Sequence, residues 1–166
     1  MIPTPVQVAE RLMAVLPTRD AAAFTESFAA DGVFEMPFTP PGAPARIKGR
    51  AAIRAALEQG WAATSSVRIH AVHPRIYATD DPETVVVETE VEVTKPGAER
   101  VRVRSAITVI RVRDGEVVLF RDYLDSGKLA EAANASGSPG CADRGRRRPG
   151  WRSPVGCWRR GRPAVG

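Results

Sequence analysis

Residues 107–125 read I-T-V-I-R-V-R-D-G-E-V-V-L-F-R-D-Y-L-D, in which two runs of mostly β-branched and apolar residues flank Asp114-Gly115. An Asp-Gly pair between two such runs is the strongest short-range signal of an antiparallel β-hairpin. We therefore predict strands over residues 100–113 and 116–124. This hairpin sets the architecture of the C-terminal half of the chain.

Two earlier segments share the period of two that is typical of strands, residues 67–78 and 84–94. Turn-forming residues follow them at positions 80–82 and 95–97. Consecutive strands joined by short turns predict an antiparallel meander of four strands.

The N-terminal part of the chain has helical periodicity instead. Thr4-Pro5 is a helix-start pair, and the apolar stripe that follows predicts a first helix up to Pro17. A second helix is expected to begin at Thr18 or Asp20, to bury Phe24 and Phe28, and to end at Asp31-Gly32.

A short strand over residues 33–38 and a proline-rich loop over residues 39–44 come next. Gly49 then leads into a third helix over residues 50–63, with Ile53, Leu57 and Trp61 at four-residue spacing. The predicted fold class is therefore α+β, with three N-terminal helices packed on one face of a curved antiparallel sheet.

Charge divides the chain near residue 134. The segment after that point contains eight arginines and one acidic residue, Asp143, so the net charge of +5 comes from the C-terminal segment. Residues 1–134 are predicted to form one domain, and residues 135–166 a disordered tail rich in Arg, Gly and Pro. A basic arm on phosphate backbones, with Trp151 and Trp158 as stacking surfaces, is the alternative reading of the tail.

Other signals narrow the class of protein. No apolar run reaches the roughly 20 residues that span a bilayer, and no secretory signal is present, so we expect a cytoplasmic protein. Cys141 and Cys157 lack metal-ligand spacing, and His70 and His73 are expected to face opposite sides of a strand. We predict neither a metal nor a cofactor.

Asp122 is the first candidate for chemistry. Strand alternation places this carboxylate on one face with three apolar residues, Val118, Phe120 and Leu124. A carboxylate in that setting is neutralised, paired, or held where a shifted pKa is useful. The alternatives are a general acid or base, with one of the histidines as a possible proton partner, or a structural ion pair with Arg68 or Arg75.

The strands over residues 84–94 and 100–113 carry facing charges. Glu88, Glu90 and Glu92 alternate on the first, and we expect them to pair in turn with residues of the second, namely Arg104, Arg102 and Arg100. This ladder is read either as an acid/base array or as a solvated or dimer-contacting outer face.

The order of elements resembles the NTF2-like, or cystatin-like cone, superfamily over about residues 4–132. Residues 31–38 (D-G-V-F-E-M-P-F) and 48–53 (K-G-R-A-A-I) look like its SnoaL-like branch. Residues 121–125 (R-D-Y-L-D) look like the R-D-Y-F-D ending of limonene-1,2-epoxide hydrolases.

The resemblance implies a conical pocket between sheet and helices, with the acid of the last strand, here Asp122, as general acid or base. Substrate-binding residues around it would be Phe24, Phe34, Met36, Phe38, Trp61, Phe120 and Leu124. The implied function is that of a polyketide cyclase or ketosteroid isomerase-like enzyme on a small hydrophobic, oxygenated molecule. A non-catalytic binder of hydrophobic ligands and an epoxide hydrolase remain as alternatives, and the resemblance also suggests a homodimer.

Overall fold

The computed structural model describes residues 1–39 and 44–124. Residues 40–43 of the proline-rich loop, Asp125, the predicted domain boundary at residue 134 and the whole predicted tail lie outside the described residues.

Three α-helices and a 3₁₀ turn precede most of the sheet. Their bounds are α1 Pro5–Val15, the turn Leu16–Thr18, α2 Ala21–Thr25 and α3 Arg50–Ala63. The predicted start of α1 is confirmed: the Thr4 hydroxyl accepts from the Gln7 amide, and the Gln7 side chain accepts from the Thr4 amide.

Six strands form one curved, open sheet. They are β1 Phe28–Glu35, β2 Arg46–Lys48, β3 Arg68–Ala78, β4 Thr84–Thr94, β5 Val101–Arg113 and β6 Glu116–Leu124, in the spatial order β2-β1-β6-β5-β4-β3. The predicted meander β3 to β6 is confirmed. All neighbours are antiparallel except β1 and β6, which are parallel, and β2 was not predicted.

The second helix is shorter than expected, and Phe28 belongs to β1 instead. Asp31-Gly32 does not end a helix, because it lies within an irregular part of β1, where the register to β6 shifts. Gly32 is required there by close packing: a Cβ at this position would lie 2.8 Å from the Val117 carbonyl oxygen. The prediction mistook a strand irregularity for a helix end.

The β5–β6 hairpin turns at Asp114-Gly115 as predicted. Both residues have positive φ, 53° and 81°, as a two-residue turn that follows the sheet twist requires. Beyond the turn, the register shifts at Val118, so Val117 instead of Val118 enters the core. Val118 therefore does not share the inner face with Phe120.

A second bulge lies in β5 at Ser105, where Thr89 pairs with Ala106 and Glu90 pairs with Arg104. The extra residue exchanges the two faces of the strand. Ile107 is consequently 48% exposed on the outer face, opposite Glu88, whereas Val103 lies opposite Val91.

The core fills the space between the helices and the inner face of the sheet. Its members come from all three helices and from β1, β4, β5 and β6, among them Leu12, Phe24, Phe28, Ile53, Val87, Ile110, Val117 and Phe120. We define the inner face as the side of the sheet that carries this core, and the outer face as the opposite side.

Candidate active site

Asp122 lies near the end of β6, on the inner face, directly opposite Thr108 of β5. The Thr108 hydroxyl donates a hydrogen bond of 3.0 Å to Oδ1 of Asp122. The residue is partly exposed, whereas Thr108 is only 2% exposed. The carboxylate therefore stands at the margin of the core.

Burial raises the pKa of Asp122 from 3.8 to about 6, and the Thr108 hydrogen bond opposes that rise. Within the described residues, no Lys, Arg or His forms an ion pair with this carboxylate. The expected alternatives, Arg68 and Arg75, lie opposite Thr94 and Glu88 instead. Neither of the two expected ion pairs is formed, and burial leaves the pKa of the carboxyl group at about 6.

Aromatic side chains adjoin Asp122 on the inner face. Phe120, two residues earlier on β6, stacks on Phe34 with ring centroids 5.2 Å apart and meets Phe24 edge-on at 5.6 Å. Trp61 of α3 packs edge-on against Phe24 at 5.7 Å. Four of the predicted substrate-binding residues therefore form one contiguous cluster.

The other predicted substrate-binding residues are placed differently. Met36 is partly buried against the core, and Leu124 is partly exposed beyond Asp122 on the same strand. Phe38 is 69% exposed and packs edge-on against Tyr123, whose partner in β5 is Ile107 of the outer face. The structure does not bring Phe38 into the cluster.

Sequence reasoning missed the polar residues of the inner face. Thr108, Thr89 and Ser105 are all buried on β4 and β5, and Thr89 interrupts an otherwise all-valine series on the inner side of β4. A single threonine among these valines could have indicated a polar position on the inner face. The sequence could not predict that Thr108 pairs with Asp122, because this register depends on the bulge at Val118.

The histidines do not act as proton partners of Asp122. His73 Nε2 lies 2.7 Å from Glu92 Oε1, and His70 Nε2 lies 2.8 Å from Thr94 Oγ1. Both contacts are with the outer side of β4, so the expectation that the two histidines face opposite sides is wrong. A register shift at His70 is the physical reason.

The charge ladder forms on the outer face. Arg100 pairs with Glu92, Arg102 with Glu90 at 2.7 Å, and Arg104 with Glu88 at 2.9 Å. The predicted partners are confirmed, although the residues directly opposite differ, since Glu90 faces Arg104 and Glu92 faces Arg102 across the strands. The arginines reach their partners diagonally.

A surface depression of about 570 Å³ lies beside the N-terminal residues of the chain. Residues 1–3 and the outward side of α1 line it, and none of them is a predicted site residue.

In the described part of the chain, no three His, Cys, Asp or Glu side chains gather as a metal site would require. No described helix is both long enough and apolar enough to cross a membrane.

Comparison with known proteins gives a family match. A model of the SnoaL-like domain matches residues 9–120. The uncharacterized protein YesE of Bacillus subtilis is 32% identical over 131 residues, which are 76% of this chain and 84% of that protein.

Solved structures agree on the fold. A Bacillus subtilis protein provisionally described as an isomerase has a TM-score of 0.66 and 26% identity, over 80% of this chain and 94% of that one. A Mycobacterium tuberculosis LEH-like epoxide hydrolase has a TM-score of 0.58 and 22% identity, over 80% and 90% of the two chains. The second likeness shows the NTF2-like fold alone.

Proposed function

Because the chain belongs to the SnoaL-like family, we propose that it is a cofactor-independent enzyme with Asp122 as its general acid or base. Its substrate would be a small hydrophobic molecule that carries a carbonyl group, as in polyketide cyclization or ketosteroid-like isomerization. The observation that carries the proposal is the Asp122 carboxylate beside an aromatic cluster, with no cation paired to it among the described residues.

A carboxyl group with a pKa of about 6 suits proton abstraction at neutral pH. Most of it is ionised at pH 7, yet it is a stronger base than an ordinary exposed aspartate. In the proposed step, the carboxylate removes a proton from the carbon next to the carbonyl, and the electron pair of the broken C–H bond forms an enolate. The protonated Asp122 then returns the proton to another atom of the substrate.

The aromatic cluster supports the proposed substrate class. Phe34, Phe120 and Trp61 belong to one apolar cluster on the inner face, and Met36 packs against the same core. A flat or cyclic hydrocarbon frame packs well against such rings. A ligand bound there would place an oxygenated edge near Asp122.

Two alternatives have weaker support. Epoxide hydrolysis needs an attacking water, and the inward residues of β1 and its extension, Phe34 and Met36, have no group that orients one. A non-catalytic binder would use the same apolar cluster but gives no account of an acid that has no ion-pair partner among the described residues.

Proton exchange tests the proposal without the natural substrate. The probes are hydrophobic cyclic ketones and β-diketones in deuterated water, with deuterium incorporation followed by NMR. We expect exchange with the wild type, at least 100-fold slower exchange with Asp122→Asn, and similar probe affinity for both. The matched control is Glu90→Gln on the outer face, which should exchange like the wild type.

Exchange by Asp122→Asn at the wild-type rate would reject Asp122 as the acid or base. Probe binding without exchange in the wild type would favour the binder instead.

A homodimer through the outer face is also proposed. Ile107 and Tyr77 are 48% and 43% exposed there, next to the charge ladder. Light scattering of the wild type at high concentration should give twice the mass of the chain, and Ile107→Glu should lower it to one. A monomer in both samples would reject the dimer. A cytoplasmic location stays a prediction from the sequence.

A further inference from the structure

The hydrogen bond from Thr108 divides the two oxygens of Asp122 into different roles. Oδ1 accepts from the buried hydroxyl at 3.0 Å. Oδ2 has no hydrogen-bond partner among the described residues. The described residues therefore engage one oxygen of the carboxylate and leave the other without a hydrogen-bond donor.

The neighbouring buried hydroxyls of the inner face are engaged elsewhere. The Thr89 hydroxyl points to the sulfur of Met13 at 3.8 Å, and the Ser105 hydroxyl donates to the Thr89 carbonyl oxygen at 3.3 Å. In the part of the chain that the structure describes, Thr108 is thus the single side chain that donates a hydrogen bond to the Asp122 carboxylate.

Charged groups on the adjoining elements are turned away or paired. On β1, Glu35 forms an ion pair with Arg121 across the outer side. The four arginines of β5 pair elsewhere: Arg102 with Glu90, Arg104 with Glu88, Arg111 with Asp81, and Arg113 with Glu83. On α3, Arg54 pairs with Glu58 and Arg50 with Glu116. No described charge competes with the hydroxyl for Asp122.

From this geometry we infer that Thr108 is a positioning residue, which holds Oδ1 and thereby makes Oδ2 the oxygen that exchanges the proton with the substrate. The inference rests on the proposed function of Asp122 and adds a residue and an atom to it. A hydroxyl that donates to one oxygen also favours the ionised carboxylate, so Thr108 keeps the group ready as a base at neutral pH.

The test replaces the hydroxyl without changing the volume. Thr108→Val removes the donor, Thr108→Ser keeps it, and Thr89→Val removes a buried hydroxyl of the same face that does not contact Asp122. The pKa of Asp122 is followed by carboxyl ¹³C NMR over pH 3–9, and the pH profile of ketone exchange is measured on the same proteins.

We expect Thr108→Val to raise the pKa of Asp122 by about 1 pH unit, since a hydrogen bond to a charged group is worth about that much. The apparent pKa in the pH profile of exchange should rise by the same amount. At pH values above this pKa, the exchange rate should fall about tenfold, because the carboxylate is no longer held in orientation. Thr108→Ser and Thr89→Val should both resemble the wild type.

An unchanged pKa in Thr108→Val, or the same rise in Thr89→Val, would overturn the inference. A raised pKa with an unmoved exchange profile would also overturn it. If Thr108→Val fails to fold, Thr108→Ala removes the same hydroxyl and is judged by the same results. The NMR readout needs no turnover, so failure of this inference is separable from failure of Asp122→Asn to stop exchange.

Discussion

The two faces of one sheet treat carboxylates in opposite ways. On the outer face, a hydrogen bond from Arg102 lowers the pKa of Glu90. Hydrogen bonds from His73 and Arg100 lower the pKa of Glu92. On the inner face, the Asp122 carboxylate accepts from one neutral donor within residues 1–39 and 44–124, the Thr108 hydroxyl, and burial raises its pKa to about 6.

The difference shows that the two faces hold their carboxylates in opposite electrostatic settings. Outer-face acids are ionised and screened by solvent, which is a setting for solubility or for a partner. The inner-face acid is largely removed from water and has no ion-pair partner among the described residues, at a cost in folding free energy. Under the proposed function, that setting suits a group that transfers protons. Each prediction below changes one side of this comparison.

The largest effect is expected from the aromatic cluster. Phe120→Ala removes a ring that is 4% exposed and contacts Phe24, Phe28 and Phe34, so the free energy of unfolding should fall by about 3–5 kcal/mol. Chemical denaturation monitored by circular dichroism measures it.

Ile107→Ala is the outer-face control for Phe120→Ala, because this side chain is 48% exposed. Its loss should cost less than about 1 kcal/mol in the monomer. Equal costs at both positions would mean that the inner face is not the core.

A smaller effect of opposite sign is expected from Asp122→Asn. Because the pKa of Asp122 is raised from 3.8 to about 6 on folding, the native state holds the proton more tightly than the unfolded state between these values. Wild-type stability from this group is full below about pH 4 and is lost as the pH rises through 6.

Asparagine does not ionise, so the variant does not lose stability as the pH rises, and its amide oxygen can still accept the hydrogen bond from Thr108. At pH 8, Asp122→Asn should therefore be more stable than the wild type by about 2 kcal/mol, allowing for partial solvent access, and the difference should disappear at pH 4. Denaturant titrations at the two pH values measure it. A variant that is strongly destabilised at pH 8 would indicate an unseen structural partner for the carboxylate.

The smallest effect is expected on the outer face. Glu90→Gln breaks an exposed ion pair with Arg102, so thermal stability should fall only slightly, and the loss should shrink in 1 M salt. Since the pKa of Glu90 is lowered, its contribution is present above its ordinary pKa and is lost as the pH falls through the lowered value. A large, salt-insensitive loss would contradict the solvated reading of this face.

Strand pattern and turn chemistry were enough to predict most of this fold. The bounds of α3, β4 and β6 follow directly from periodicity, and Asp114-Gly115 forms the expected turn. The inner-face position of Asp122 beside Phe120 was equally readable, because alternation holds within that part of β6.

The failures share one physical cause, the register shifts. One extra residue at Ser105, at Val118 or at His70 exchanges the faces of everything beyond it, and alternation alone cannot show where a sheet inserts it. The irregularity near Gly32 had the same effect on β1. Thr108 is the partner of Asp122 because of such a shift, so the sequence could predict the acid of the site but not its hydrogen-bond donor.

A carboxyl ¹³C NMR titration of the wild-type protein tests the central claim most directly, because it reads the inner and outer acids in one sample. The pKa of Asp122 is expected at about 6, and that of Glu90 below its ordinary 4.5. An Asp122 carboxyl that titrates at or below 3.8, like a solvated or cation-paired acid, would contradict the account.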